Sequence, residues 1–490
     1  MRRTSAFALV AATLGLAILS GCIPQAVIWS PDGQWGVVVV EKERLVVCDG
    51  NGKLSKPFLD GMGESLTPAA WLPDSRRFVA VRERLVDQKD LSKWLVDQGN
   101  KKLINRADLL RQEILAYGGD WKSFKPSSLD GLNSSEEVAV LLRLRHELGN
   151  PLPKPYSQWK RLTNLAGTTW IRMVQVVEMV DGRPRPGKIV VEMLEEIGSI
   201  RVSPDGKNLA YVQLITDDKN SPKRGMQLAM ENPSRIALFV ISIDDPGSPR
   251  LVASGISIYP DWTPDSQSLV YVGMSQQGAN LPEAKRDTEL GTVYRRRVAS
   301  KDGVLLEQFG KAQAFATLLY WPWEWVRCLN DGRILISGVE VTLPATEKNT
   351  PKDATLFVLD PRQSTITKIT KILSRKDHAE LPADGIIFGC MTLSPDKKRL
   401  AITGKDSKVC ILTLASGDVT TVQDSHPGAK TVYRSSWRTN DELCLVVPAG
   451  SKMGLKDRDA IVLWSQGKSR CISRQWREQH KTTQNEKPNQ

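Results

Sequence analysis

One short turn recurs along this 490-residue chain and limits what it can fold into. Ser30-Pro31-Asp32-Gly33, Leu72-Pro73-Asp74-Ser75, Ser203-Pro204-Asp205-Gly206, Thr263-Pro264-Asp265-Ser266, Leu329-Asn330-Asp331-Gly332 and Ser394-Pro395-Asp396-Lys397 are each followed by an apolar run, and Arg438-Thr439-Asn440-Asp441 is a degenerate seventh copy. Pro presets the first turn dihedral, Asp or Asn bonds the backbone beyond it, and Gly accepts positive φ, so each copy predicts a hairpin. Gly206 is expected to need that positive φ. Ser266, which already carries a side chain at the same place, is expected to tolerate substitution better.

A short strand precedes each turn (Val27 to Trp29, Ile200 to Val202, Met391 to Leu393) and a longer one follows (Trp35 to Val40, Leu209 to Val212, Leu400 to Thr403). Further strand patterns come next, such as Arg44 to Cys48, Arg235 to Ile243 and Thr355 to Leu359. Four strands repeated about seven times predict an all-β fold, a β-propeller of seven four-stranded blades, with six or eight also fitting the spacing. Every repeat begins and ends in phase with a blade, so the sequence gives no sign that an exchanged outer strand closes the ring.

With Trp29, Trp71, Trp262 and Trp437 just ahead of their turns, the units resemble the TolB-type, WD-repeat-like blades of bacterial periplasmic proteins. The resemblance covers roughly residues 27–83 and 168–475. TolB itself is a poor match, because TolB-type chains carry a separate domain ahead of the propeller and these repeats start a few residues after Cys22. The resemblance therefore implies an exported binding propeller rather than a role in the Tol system.

The N-terminus reads Met1-Arg2-Arg3, an apolar run from Ala6 to Leu19, then Leu19-Ser20-Gly21-Cys22. The run suits a secretory leader better than a membrane span. Residues 1–21 are expected to be a lipoprotein signal peptide and 22–26 an anchor segment, with cleavage before Cys22 and lipid on its sulfur; several acyl chains hold durably where one holds marginally. Ile23, where the analogous retention signal is Asp, directs the expectation to an outer membrane facing the periplasm. Removing Arg2 and Arg3 with the leader takes the formal charge from +12 to +10. That balance favours an envelope protein or an anionic cell-wall polymer as partner, and nucleic acid is not expected in an exported chain. The basic runs Arg183-Pro184-Arg185 and Arg295-Arg296-Arg297 read as solvated loops or strand ends.

Adjacent turns elsewhere lie about 42 to 66 residues apart, but Pro73 and Pro204 are separated by 131. The excess, residues 84–167, reads as a helical insertion in blade two. One helix is predicted with Asn105 as its cap, Ile104 stapled to Leu109, and Leu109, Leu110 and Ile114 on its apolar face. A second opens at the capping box Ser134-x-x-Glu137 and presents Val138, Leu141, Leu142 and Leu148. Residues 168–475 complete the propeller, and 476–490 form a polar tail expected to be disordered.

Chemistry is sparse. His146, His378, His426 and His480 stand at no metal-ligand spacing, no Gly-x-Ser-x-Gly elbow occurs, and Cys48, Cys328, Cys390, Cys410, Cys444 and Cys471 contain no Cys-x-x-Cys. These cysteines read either as a disulfide framework or as small buried hydrophobes. Gly182 to Lys188 matches part of a phosphate loop but places Pro184 and Pro186 where amide donors are needed, so a hairpin is the better reading. No metal, cofactor or catalytic set is expected. The repeated aspartates are assigned to their own turns. In Tyr320-Trp321-Pro322-Trp323-Glu324-Trp325, alternation puts Trp321, Trp323 and Trp325 on one strand face, which is either buried between blades or an aromatic platform at the propeller mouth. The function this supports is a lipid-anchored scaffold that binds protein or polymer; the alternative is an envelope glycan- or peptide-processing enzyme with its site in the propeller funnel.

Overall fold

A computed structural model describes residues 27–40, 44–58, 68–86, 101–116, 125–131, 140, 141, 144, 169–193, 195–214, 236–274, 290–319, 325–338, 355–369, 386–404, 409–422, 434–447 and 460–472. The leader and Cys22, Trp321 and Trp323, the second-helix positions 134, 137, 138, 142 and 148, and the tail lie outside these residues.

The described strands form seven antiparallel sheets, six of four strands and one of three, each built from strands consecutive in the chain. The protein is a seven-blade β-propeller. The first strand of each blade is innermost: Val27–Trp29, Ala69–Trp71, Glu196–Val202, Asp261–Trp262, Trp325–Cys328, Ile386–Leu393 and Arg434–Trp437. Most of these strands neighbour one another in succession, and the last lies against the first. Blade one has three strands in its sheet. Its outer edge is covered by residues 53–58, whose Ser55 and Phe58 amides donate to the carbonyls of Val47 and Leu45 at 2.7 and 3.3 Å.

The ring closes without an exchanged strand. Arg438 of blade seven donates from Nε to the Gly33 carbonyl at 2.9 Å and lies over the Trp29 ring at 5.5 Å, while Glu442 holds Arg438 from the other side. Arg470 reaches the Gly50 carbonyl at 3.2 Å. Beneath these polar ties one apolar cluster spans both blades, with Val27, Val38 and Val46 packed against Val446, Ile461 and Leu463. Burial of such faces between neighbouring sheets is the main stabilisation available to the ring.

The turns do as their sequence requires. Gly33, Ser75, Gly206, Ser266, Gly332 and Lys397 all have positive φ, between 56° and 86°. Ser266 is thus left-handed like Gly206, which removes the ground for expecting it to tolerate substitution better. Ser266 stays there because its Oγ accepts the Asp205 amide of the preceding blade at 2.9 Å. Ser75 does the same for Asp32 at 3.1 Å, and Asn440 for Asp396 at 2.9 Å. The repeated aspartates serve their own turns: Asp205 and Asp396 accept from the Ser hydroxyl two residues earlier and from the amide two residues later.

Blade two carries the insertion. Its second and third strands, Arg77–Val86 and Thr169–Val180, stay paired out to Val86 opposite Thr169, so the propeller runs three residues past position 83. The helix Lys101–Ala116 begins before Asn105, which is therefore inside it and does not cap it. Lys101-Lys102-Leu103-Ile104 contains no helix breaker, so the helix is already formed ahead of Asn105. Ala107, Leu110 and Ile114 are buried at helical spacing while Leu109 is 47% exposed, so the predicted Ile104–Leu109 staple is also corrected. Glu113 accepts from Ser127 and Ser128 and locks the short turn Ser127–Leu129 onto the helix. Of the second helix, Val140, Leu141 and Leu144 are described; all three are helical and buried.

The phosphate-loop look-alike is a hairpin turning at Asp181 and Gly182, with Val180 paired to Arg183. Arg296 fits the strand-end reading of its triplet and not the solvated-loop one, since the strand Leu290–Arg297 closes on that triplet. It sits on a strand, bonds the carbonyls of Gly310 and Val252, and shares the Phe309 ring with Arg250.

Candidate functional site

Aligning the seven repeats by their turns shows which side chains meet inside the ring. The residue two positions ahead of each turn is Ile28, Ala70, Arg201, Asp261, Arg327, Thr392 and Ser436. All seven lie on innermost strands at the equivalent place ahead of the turn, which puts them in one layer around the axis; each pairs with the second strand of its own blade, as Ile28 with Val37, Arg201 with Ala210, Asp261 with Val270 and Arg327 with Leu335. Three successive blades therefore contribute Arg201, Asp261 and Arg327 at the same height.

The backbone of this layer is fixed by the tryptophans. Trp71 donates its indole N–H to the Ile28 carbonyl at 2.7 Å, Trp262 to Arg201 at 3.2 Å, and Trp437 to Thr392 at 2.9 Å. Each of these three tryptophans thus anchors the layer residue of the preceding blade. Trp29 departs from the pattern, since its indole nitrogen is buried without a carbonyl partner and lies against Cys444.

The charges are unequal. The Arg201 guanidinium makes no hydrogen bond or ion pair with any described residue, although its position is half-buried. Arg327 donates to the adjacent Val326 carbonyl at 2.7 Å and lies over the Trp325 ring at 4.6 Å. Asp261 is the one carboxylate of the layer, and its Oδ2 accepts the Cys328 amide at 2.9 Å. Enclosure by protein and the neighbouring Arg201 charge push the Arg327 pKa down to about 9, which Asp261 and Tyr259 only partly offset. Enclosure lowers Arg201 likewise, again against Asp261. A guanidinium keeps its proton in proteins, so both count as cations. The layer holds two positive charges against one negative, and Lys397 Nζ adds another cation close by, on the Cys328 carbonyl at 2.8 Å.

Trp325, read from the sequence as either buried between blades or part of an aromatic platform, is 2% exposed and packs in the cluster that also holds Tyr259, Trp262 and Leu335, so its ring is buried and not open to a ligand. It brings Arg327 into the channel layer instead. Trp321 and Trp323 cannot be placed beside it, being outside the described residues. Among the described residues no three His, Cys, Asp or Glu side chains stand together as a metal set. A cleft of about 590 Å³ between blades one and two is lined by Asp32, Asp74, Glu178 and Asp181, but Asp32 and Asp74 are taken up by their turn amides. Cys48, Cys328 and Cys444 are buried thiols, and burial raises the pKa of each.

Neither a protein-family model nor a curated protein matches the chain. Solved structures do. The chain is similar to a TolB candidate from Agrobacterium tumefaciens at 13% identity, with 58% of this chain and 83% of that one covered and a TM-score of 0.35. It is also similar to an oligogalacturonate lyase from Vibrio parahaemolyticus at 8% identity (90% and 89% covered, TM-score 0.46). An acylaminoacyl peptidase from Pyrococcus horikoshii matches at 14% identity, with 63% of this chain but only 42% of the peptidase covered and a TM-score of 0.37.

Proposed function

We propose that the protein is a lipid-anchored propeller of the bacterial cell envelope that binds a protein or polymer partner at one end of its ring. The observation that carries this reading is an asymmetry of connections. Because neighbouring strands alternate in direction, first-to-second and third-to-fourth links leave one end, and second-to-third and blade-to-blade links leave the other. The first end holds the seven tight turns. The second receives residues 87–168, 215–235, 275–289, 339–354 and 448–459. Propellers with uninterrupted cores tolerate such additions, and binding segments concentrate on them.

The anchor is Cys22, reached through the leader at residues 1–21, and the outer membrane facing the periplasm is the assigned location. The competing reading, a glycan- or peptide-processing enzyme in the funnel, would have Asp261 as its acid or base. Replacing residues 87–168 by a short Gly-Ser turn between Val86 and Thr169 tests the binding reading. The shortened protein should keep its β-rich circular dichroism and membrane attachment but lose the partner that the full protein retains from native membranes. Retention of that partner would contradict the assignment of the insertion. Turnover of cell-wall fragments, abolished by Asp261→Asn, would favour the enzyme.

A further inference from the structure

We propose that Arg201 and Arg327, with Asp261 between them, form a binding site in the axial channel for an oxyanion of the carboxylate class. Four observations converge on it, and none depends on the lipid anchor or the insertion. The three residues occupy the same repeat position on consecutive innermost strands, so ring closure alone brings them together. The other four positions of that layer, Ile28, Ala70, Thr392 and Ser436, carry no charge, so within the layer only Asp261 opposes the two guanidinium groups. Arg201 makes no hydrogen bond with a described residue, and the one that Arg327 donates goes to its own neighbour, which leaves most of both donor forks unused. Finally, one oxygen of the sole carboxylate is committed to the Cys328 amide.

Enclosed cations are normally paired, because removing a charge from water is costly unless a counter-charge and hydrogen bonds replace the hydration. Two planar guanidinium groups are the side chains best suited to grip a carboxylate or a similar oxyanion, each by parallel N–H donors. Part of the site is also held before a ligand arrives, namely the Arg201 backbone and the Arg327 side chain. Trp262 holds the Arg201 carbonyl, and the Trp325 ring supports the Arg327 plane. Preorganisation of this kind reduces the ordering cost of binding. The acidic group could be a free small anion or the side group of an acidic polymer or peptide that enters the channel. The recognising chemistry is the same for both.

The test uses the full chain and two probes, sodium sulfate and poly-glutamate, titrated against sodium chloride at matched ionic strength and followed by melting temperature and calorimetry. Wild type should show saturable stabilisation by sulfate. Arg201→Met and Arg327→Met should lose it, and Arg201→Lys, which keeps the charge but not the fork, should retain it only weakly. Asp261→Asn removes the competing negative charge while keeping an oxygen for the Cys328 amide, and should tighten sulfate about tenfold. A damaged fold cannot mimic that gain, so this variant decides the matter should the arginine variants fail to fold. Competition of poly-glutamate with sulfate would assign the site to a polymer-borne acid, and sulfate binding alone to a small free anion. The proposal is overturned if sulfate acts no differently from chloride, or if Asp261→Asn leaves its affinity unchanged.

Discussion

The indole nitrogen of Trp262 donates to the backbone carbonyl of Arg201 at 3.2 Å, so the tryptophan that marks one blade fixes the channel cation of the blade before it. The same bond joins Trp71 to Ile28 and Trp437 to Thr392. A net hydrogen bond is worth about 1 kcal/mol, and a buried carbonyl left unpaired costs somewhat more. Trp262→Phe and Trp437→Phe should therefore each lower stability by more than Trp29→Phe, because all three lose similar volume but Trp29 gives up no bond to a carbonyl. Urea denaturation measures the difference. Equal losses at the three sites would remove the indole bond from the account.

At the turns, Gly206→Val and Ser266→Val should both destabilise the protein, since each forces a β-branched residue to a φ of 75° or 62°; such strain is on the order of 1 to 3 kcal/mol. Ser266→Gly should relieve backbone strain while losing the hydroxyl that accepts the Asp205 amide, and should fall close to wild type. A Ser266→Val protein as stable as wild type would contradict the geometry.

Acid should weaken the same turns. Burial opposes the charge on Asp396, but hydrogen bonds from Ser394 and the Lys398 amide, with the Arg399 and Lys398 charges, outweigh it and hold its carboxyl below the usual 3.8. Asp74 and Asp331 are lowered against the same opposition by Arg77 and Arg333 respectively. A carboxylate depressed in the folded state contributes stability that is complete above its unfolded pKa and is lost as pH falls through the folded value. Urea midpoints should thus be flat with respect to these groups above about pH 5 and decline below about pH 4, and the decline should be shallower in Asp396→Asn. An unchanged slope in that variant would count against the role given to Asp396.

The anchor is tested separately. Cys22→Ala should abolish incorporation of radiolabelled fatty acid and leave the protein unprocessed or mislocalised. Equal labelling of wild type and variant would overturn the lipoprotein assignment.

The blades were legible because a turn states its needs within four residues. Pro31 and Gly33, or Pro204 and Gly206, define a hairpin without reference to the rest of the chain. The helix start was less legible, since Asn105 can cap or sit inside a helix and only the continuation to Lys101 decides. The channel layer was hidden for a different reason. Arg201, Asp261 and Arg327 are about 60 residues apart and share no local motif; they become neighbours only when the ring closes. The signal that reveals them is the column two residues ahead of each aligned turn, where two arginines and an aspartate stand among Ile28, Ala70, Thr392 and Ser436. For Trp325 two readings stood open because strand alternation assigns a face without saying whether that face looks into the channel or into the next blade.

The most direct test of the binding reading compares the two ends of the ring within one protein. A photo-crosslinking residue placed at Arg84, exposed at the base of the insertion, or at Gln34, exposed in the first tight turn, samples opposite ends of the propeller. In intact cells the Arg84 position should give a discrete crosslinked product under ultraviolet light, lost when residues 87–168 are replaced, while the Gln34 position should give none. Crosslinking from Gln34 but not from Arg84 would place the partner on the turn face and contradict the account.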